Sequence, residues 1–295
     1  MLPVSQAWLQ HNKLMRPAHE IRDLAVATPV TGAPEKAATP WDIPYWVELL
    51  YTFVARDIRA RYKQSLLGFY WAILSPLMTS LILTLVFSVV LRFRTGDTPF
   101  PIFVLTGLLT WQLFANGLGS AVVSISGYAQ LITKVRFQRW VLPVSAVLAR
   151  LVDLVFFFVV LIPITVWFRI DIGLSAFWIL PLIACMTLLT IGLGLVIAAV
   201  NVYYRDVEQL LPIVLNLWFY LSPIIYPAEM FPEHLRFLFW INLPGVIVHY
   251  TRAAFVQGQG TGWGTLAGLF LVSAAIAVAG FLVFQRMQRR FAEVV

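Results

Sequence analysis

The chain has 295 residues, of which 60% are hydrophobic and only 12% charged, about half the charge of an ordinary soluble domain. Its mean hydropathy of +0.82 excludes a soluble globule. The net charge is +7, but the cations are grouped between apolar runs, so they report membrane topology and argue against a nucleic-acid partner. A single cysteine, Cys185, excludes a disulfide framework or thiolate cluster, both of which need at least two thiols.

Residues 1–40 carry mixed charge without the apolar core of a cleavable leader. Within them, residues 25–40 are rich in Ala, Thr and Pro without periodicity, the composition of a flexible extension. From 41 to 63 the pattern changes. Ile43, Trp46, Val47, Leu50, Phe53, Val54 and Ile58 recur at helical spacing, while Asp42, Glu48, Thr52, Arg56, Arg59 and Lys63 fall largely elsewhere on the wheel. An amphipathic helix with Trp and Tyr and a basic end lies in the membrane interface; the alternative is a cytosolic helix packed on a partner.

Charges are absent from 64–91, 98–133, 172–204, 209–228 and 253–285, and a further stretch, 154–168, extends back past Arg150 and Asp153 to the apolar run at Val141. Roughly 18 apolar residues are enough for one crossing. The expected fold is therefore all-α and polytopic, with six spans at 66–91, 101–123, 141–168, 177–200, 209–226 and 263–284. These lie within a transmembrane domain of 64–284, followed by a tail of 285–295. Sixteen Lys and Arg then fall on one face and five on the other, which puts both termini in the cytoplasm.

Pro212, Pro223, Pro227, Pro232 and Pro244 prevent a regular helix through the fifth span and beyond. Non-helical backbone at membrane depth is tolerated only inside protein or beside a water-filled cavity, so this region hints at a transport path. Residues 226–261 read as short helices dipping back into the outer leaflet, the alternative being a loop on the lipid surface. Residues 128–140 alternate apolar and basic side chains and fit a short surface helix on the cytoplasmic face. Arg150 and Asp153 stand at i and i+3 and are expected to pair, because an unpaired charge in the bilayer is expensive. Gly264 and Gly268 form a GxxxG in the last span, a pattern that packs neighbouring helices.

No G-x-x-x-x-G-K-[ST], H-E-x-x-H, C-x-x-C or G-x-S-x-G occurs, so no cofactor or metal site is expected in this chain. His11, His19, His234 and His249 lack ligand spacing. Asp153 is the one carboxylate within a span, whereas ion-coupled transporters use ionisable groups at the midplane. Energy for any transport would have to come from another subunit.

Four stretches carry a family resemblance: RDIRARYKQSLLGFYWAILSPL (56–77), LLTWQLFANGLGSAVVSISGYAQLITKVRFQRWVLPVSAVLARLVD (108–153), NVYYRDVEQLLPIVLNLWFYLSPIIYP (201–227) and INLPGVIVHYTRAAF (241–255). They resemble the membrane-spanning subunit of type-2 ABC exporters for polysaccharides, the group that exports O-antigen, capsular polysaccharide and teichoic acid. Two positions depart from the family pattern: Gln138 stands where Phe-Pro-Arg is common, and Leu243 interrupts a common Asn-Pro.

The resemblance implies a homodimer with two copies of a separate ABC ATPase, which would hold ATP and Mg, in a bacterial inner membrane. It implies a lipid-linked polysaccharide as substrate and a coupling helix around Leu131, Lys134, Arg136, Phe137 and Arg139. Tyr204, Arg205 and Asp206 would sit near the cytoplasmic mouth, and the first and fifth spans would line the channel. Sugar rings present apolar C–H faces and hydroxyls, which suit aromatic side chains with a polar tip. Phe69, Tyr70, Trp71, Trp218, Tyr220 and Tyr226 are the channel candidates on that ground, the alternative being an interfacial aromatic belt. A permease for another cargo, such as a drug or simple lipid, is the second reading; a membrane scaffold or intramembrane enzyme is the third.

Overall fold

The structure is a computed structural model that describes residues 43–63, 68–93, 95, 98–128 and 137–293. The chain divides into two units, Met1–Trp46 and Val47–Val295; the expected flexible extension of 1–40 lies outside the described residues.

The described residues form helices joined by turns and irregular segments, with no strand among them. Helix α1 covers Ile43–Lys63 and α2 Gly68–Leu83, which runs on as π-helical turns over Thr84–Val90; α3 covers Phe100–Ser124. Helices α4 (Val141–Leu148) and α5 (Leu151–Trp167) are two pieces of one apolar span, and α6 covers Ile179–Tyr203. Then come α7 (Asp206–Leu221), the short α8 (Arg236–Ile241), α9 (Leu243–Val256) and α10 (Trp263–Met287). Local sequence explains the starts. Pro101 occupies the first turn of α3, where its missing N–H is no loss. Asn242 caps α9 by accepting from the Gly245 N–H at 3.1 Å. Gly262, at φ +74°, admits the left-handed turn into α10 that a Cβ would oppose.

Five segments are long and apolar enough to cross a membrane: Tyr70–Val90, Phe100–Ser124, Val141–Trp167, Leu174–Tyr203 and Trp263–Met287. They coincide with five of the six expected spans. The remaining one, 209–226, is the 16-residue α7, about 24 Å at 1.5 Å per residue, followed by an irregular turn. Its start is tied to the end of α3, because Asn201 Nδ2 donates to the Val122 carbonyl at 2.9 Å while Asn201 Oδ1 accepts from the Glu208 N–H at 3.2 Å. Its far end is held near Phe103, at the opposite end of α3, by Arg252. Helix α7 thus runs the length of the bundle despite its brevity.

Helix α3 is the centre. Its apolar window is 78% buried, against 11% for α2 and 17% for α10, so α3 is wrapped by protein while α2 and α10 present most of their surface outward. Phe114, Leu105, Leu108, Leu109 and Leu118 of α3 pack with Leu161, Leu182 and Ile247 in the main core. Cys185, on α6, is fully buried in the same core. Helix α6 packs most extensively on α10. A Cβ at Gly192 would lie 2.6 Å from the Ile276 carbonyl oxygen, and one at Gly280 would overlap the Gly192 carbonyl. The GxxxG pair expected to pack neighbours has nothing within 4 Å of either Gly264 or Gly268.

Candidate functional site

Helix α1 is fastened to the bundle at two polar junctions. At the first, Asp153 of α5 collects three donors: Arg61 Nη1 at 3.1 Å, the Tyr62 hydroxyl at 2.9 Å and Arg150 Nη1 at 3.3 Å. Arg150 sits in the break between α4 and α5, where its N–H bonds to the Val147 carbonyl at 3.0 Å. The tight turn brings its guanidinium to Asp153 one turn on, while its Nε donates to Ser120 Oγ of α3 at 2.6 Å. The pairing expected from the i, i+3 spacing is present, with a second arginine added. Burial and the Asp153 carboxylate raise the Tyr62 phenol above its ordinary value, so Tyr62 remains a donor.

At the second junction the Tyr128 hydroxyl donates to Asp57 Oδ1 at 2.5 Å. The Arg56 guanidinium lies over the Tyr128 ring at 3.8 Å and the Phe53 ring at 4.7 Å, two cation–π contacts made by one cation. Phe53 in turn stacks on Phe137 at 5.7 Å. Burial first, then the Asp57 carboxylate, push the Tyr128 phenol up to about 12. Two cavities open beside the first junction, and the second of them reaches the other junction. One, of about 280 Å³, is lined by Arg61, Trp71, Gln112, Asn116, Arg150 and Asp153 among others. The other, of about 350 Å³, has Asp57, Arg61, Ser120, Tyr128 and Arg150 in its wall.

The far end of α7 is held differently. Residues 222–225 are buried yet non-helical, and buried backbone polar groups need partners. Arg252 supplies them: Nη1 donates to the Pro223 carbonyl at 2.9 Å, Nη2 to Ile224 at 2.8 Å and Nε to Phe103 at 3.1 Å. The guanidinium also stacks 3.5 Å over the Phe103 ring. It is 3% exposed and makes no ion pair among the described residues. Asn242 completes the arrangement, donating to the Leu221 carbonyl at 3.2 Å and Ser222 Oγ at 3.0 Å, and accepting from Trp218 Nε1 at 2.8 Å.

Against this geometry the candidates separate. Trp71 and Tyr70 are 55% and 67% exposed on α2, and Trp71 also walls the smaller cavity. Phe69 belongs to the same helix; its side chain lies outside the described residues. Tyr220 is 63% exposed. Trp218 is half-buried, edge-on to Phe114 at 5.3 Å, and Tyr226 is half-buried with its hydroxyl donating to the Tyr220 carbonyl at 2.9 Å. Tyr204 and Arg205, between α6 and α7, and Asp206, which opens α7, are exposed, and Asp206 with Glu208 places negative charge in the first turn of α7, which suits the helix dipole. Leu131, Lys134 and Arg136, with 129–136 of the expected surface helix, lie outside the described residues; 137–140, its expected end, are non-helical. Phe137 packs on α1 as above, and Arg139 donates to the Gln288 carbonyl at 3.1 Å beyond the end of α10.

Compared with known proteins, residues 48–256 match the ABC-2 type transporter family. The chain belongs to that family. It is similar to the O-antigen export system permease protein RfbA of Klebsiella pneumoniae, at 29% identity over 259 residues, 86% of this chain and 97% of the relative. It is 31% identical over 251 residues to the RfbA protein of Myxococcus xanthus, 83% of this chain and 94% of the relative. Similarity to the polysialic acid transport protein KpsM of Escherichia coli is 29% over 233 residues, 76% of this chain and 88% of the relative.

Within this ABC-2 chain, sequence reading missed two arginines. Arg61 stands 92 positions from Asp153, so no local spacing announces the contact. Arg252 is one of the five cations that the charge count puts on the outer face; the signal available is its isolation as the single charged residue within 241–256.

Proposed function

We propose that this chain is the membrane-spanning subunit of an ATP-driven exporter that moves a lipid-linked polysaccharide from the cytoplasmic to the outer side of a bacterial inner membrane. It works as a homodimer with two copies of a separate ABC ATPase, which carries ATP and Mg; this chain brings no cofactor. The observation that carries the reading is the end-to-end similarity to the O-antigen permeases, covering 97% of the first relative. Both termini face the cytoplasm, and α7 with its buried turn makes the sixth pass.

In this arrangement the loop around Leu131, Lys134, Arg136, Phe137 and Arg139 meets the ATPase. Its movement reaches the bundle through the stacked Phe137 and Phe53 rings and the Tyr128–Asp57 bond, a rigid-body transmission of the hinge and shear type. Tyr204, Arg205 and Asp206 flank the cytoplasmic mouth. The aromatic side chains Tyr70, Trp71 and Tyr220 offer outward-facing rings on which sugar faces slide; Phe69, Trp218 and Tyr226 complete the set. The test is affinity isolation of the tagged chain from its native membrane in mild detergent, followed by native mass spectrometry. A 2:2 assembly with an ATP-hydrolysing subunit is expected. A stable particle without ATPase, reproduced in nanodiscs, would overturn the reading.

A further inference from the structure

The two cavities meet at Arg61 and Arg150, both of which line each of them. These side chains are about one-quarter exposed, at 25% and 24%, and share a single carboxylate, Asp153. The other acid in the walls, Asp57, has its own cation, Arg56, at 3.7 Å. One positive charge is therefore left over at the junction, in a setting where an uncompensated charge is expensive. The hydrogen bonds made among the described residues use Arg61 Nη1 and Arg150 Nε and Nη1, which leaves Arg61 Nε and both Nη2 groups as donors.

A second observation points the same way. Gln112, Asn116 and Ser120 follow one another at four-residue intervals on α3, so they form a polar stripe on one face of an otherwise apolar helix. Gln112 and Asn116 make no hydrogen bond among the described residues and line the smaller cavity. Ser120 accepts from Arg150 and keeps its own proton to donate. Polar side chains in hydrocarbon need a partner, and this stripe faces a space that ends on two arginines.

The geometry points to a binding site for the phosphate or diphosphate group of an anionic lipid, with Arg61 and Arg150 as charge-assisted donors and Gln112, Asn116 and Ser120 as neutral ones. Planar guanidinium forks match phosphate oxygens in pairs, and basic pockets between spans hold anionic head groups. This deepens the exporter reading and rests on it for the source of the ligand, a lipid-linked cargo whose phosphate end docks here while Trp71 stands beside it.

The test uses the full chain in phosphatidylcholine nanodiscs doped with a polyprenyl diphosphate that carries no glycan, with retained lipid counted by native mass spectrometry. Wild type retains the diphosphate lipid, and Arg61→Gln lowers its affinity about tenfold, the loss of about 1.4 kcal/mol. Arg61→Lys, which keeps the charge and loses the fork, falls between. Asp153→Asn removes the competing anion and raises retention, the opposite of what a merely structural ion pair predicts. Equal retention by wild type and Arg61→Gln, or a loss on Asp153→Asn matching that of Arg61→Gln, would overturn the site. Displacement of the lipid by equimolar inorganic diphosphate would overturn the lipid as source; no displacement supports it. Because the probe needs neither glycan nor ATPase, the pocket can fail while the 2:2 complex assembles, and the complex can fail while the pocket binds.

Discussion

Arg252 is a cation held by three carbonyl dipoles and the face of Phe103, with no ion pair among the described residues, and the turn after α7 depends on it. Replacing it with Met preserves much of the volume but leaves the Pro223, Ile224 and Phe103 carbonyls without their donor. Hydrogen bonds to charged groups contribute about 1.5–3 kcal/mol each, so Arg252→Met is expected to lower stability by about 3 kcal/mol or more, seen as a large fall in the melting temperature of the detergent-purified chain. Arg252→Lys should fall less. Trp218 demands a similar distinction. Its indole N–H is bonded to Asn242 and its ring abuts Phe114, so Trp218→Ala disturbs packing as well as any channel surface. Trp218→Phe isolates the hydrogen bond, at about 1 kcal/mol. The exposed Tyr220 and Trp71 test substrate contact more cleanly: Tyr220→Ala with Trp71→Ala is expected to reduce surface glycan while complex assembly is preserved, and normal surface glycan would remove both from the path.

At the level of helices, α6 and α10 approach closely at Gly192 and Gly280. A methyl at Gly280 meets backbone on the facing helix, which cannot rotate away, so Gly280→Ala is expected to destabilise by about 1–3 kcal/mol. Gly268→Ala, which meets nothing within 4 Å, should stay within about 0.5 kcal/mol of wild type. Thermal unfolding of the two variants side by side checks the contrast. It also marks what a sequence can reveal. Gly264 and Gly268 catch the eye because they repeat along one helix, whereas Gly192 and Gly280 lie on two helices and no local spacing links them. The apolar runs disclosed five spans directly, since length and hydropathy are local properties. Pro223 and Pro227 disclosed where the helix stops, at Leu221, because neither can continue it, whereas Pro212, also expected to break it, lies inside the continuous α7. That Arg252 and Asn242 satisfy the interrupted backbone was not readable, being a consequence of tertiary approach. The Arg150–Asp153 half of the polar junction was visible at i, i+3, and its Arg61 half was not.

Over the whole molecule, the uneven burial of the spans matters most. Helix α3 is enclosed, while α2 and α10 carry long exposed rows such as Leu81, Ile82, Leu85, Val89 and Leu271, Val278, Leu282, surfaces that lipid or a second copy of the chain must cover. At one end of the bundle, Arg139 and Tyr203 bond to the carbonyls of Gln288 and Met287, and Phe291 packs between Tyr203 and Phe284. The end of α10 is thereby stitched to α6 and to the segment before α4. Reversing the charge with Arg139→Glu is expected to loosen this stitch, detected as faster proteolysis after residue 287, in addition to any loss of ATPase binding. The full burial of Cys185 has a practical outcome. The wild-type chain is its own blank for membrane-impermeant thiol reagents. Each new cysteine then reports alone: Asp171→Cys and Gln259→Cys should react on intact cells, Ser126→Cys and Arg205→Cys only after permeabilisation, and the reverse pattern would turn the whole bundle over in its membrane.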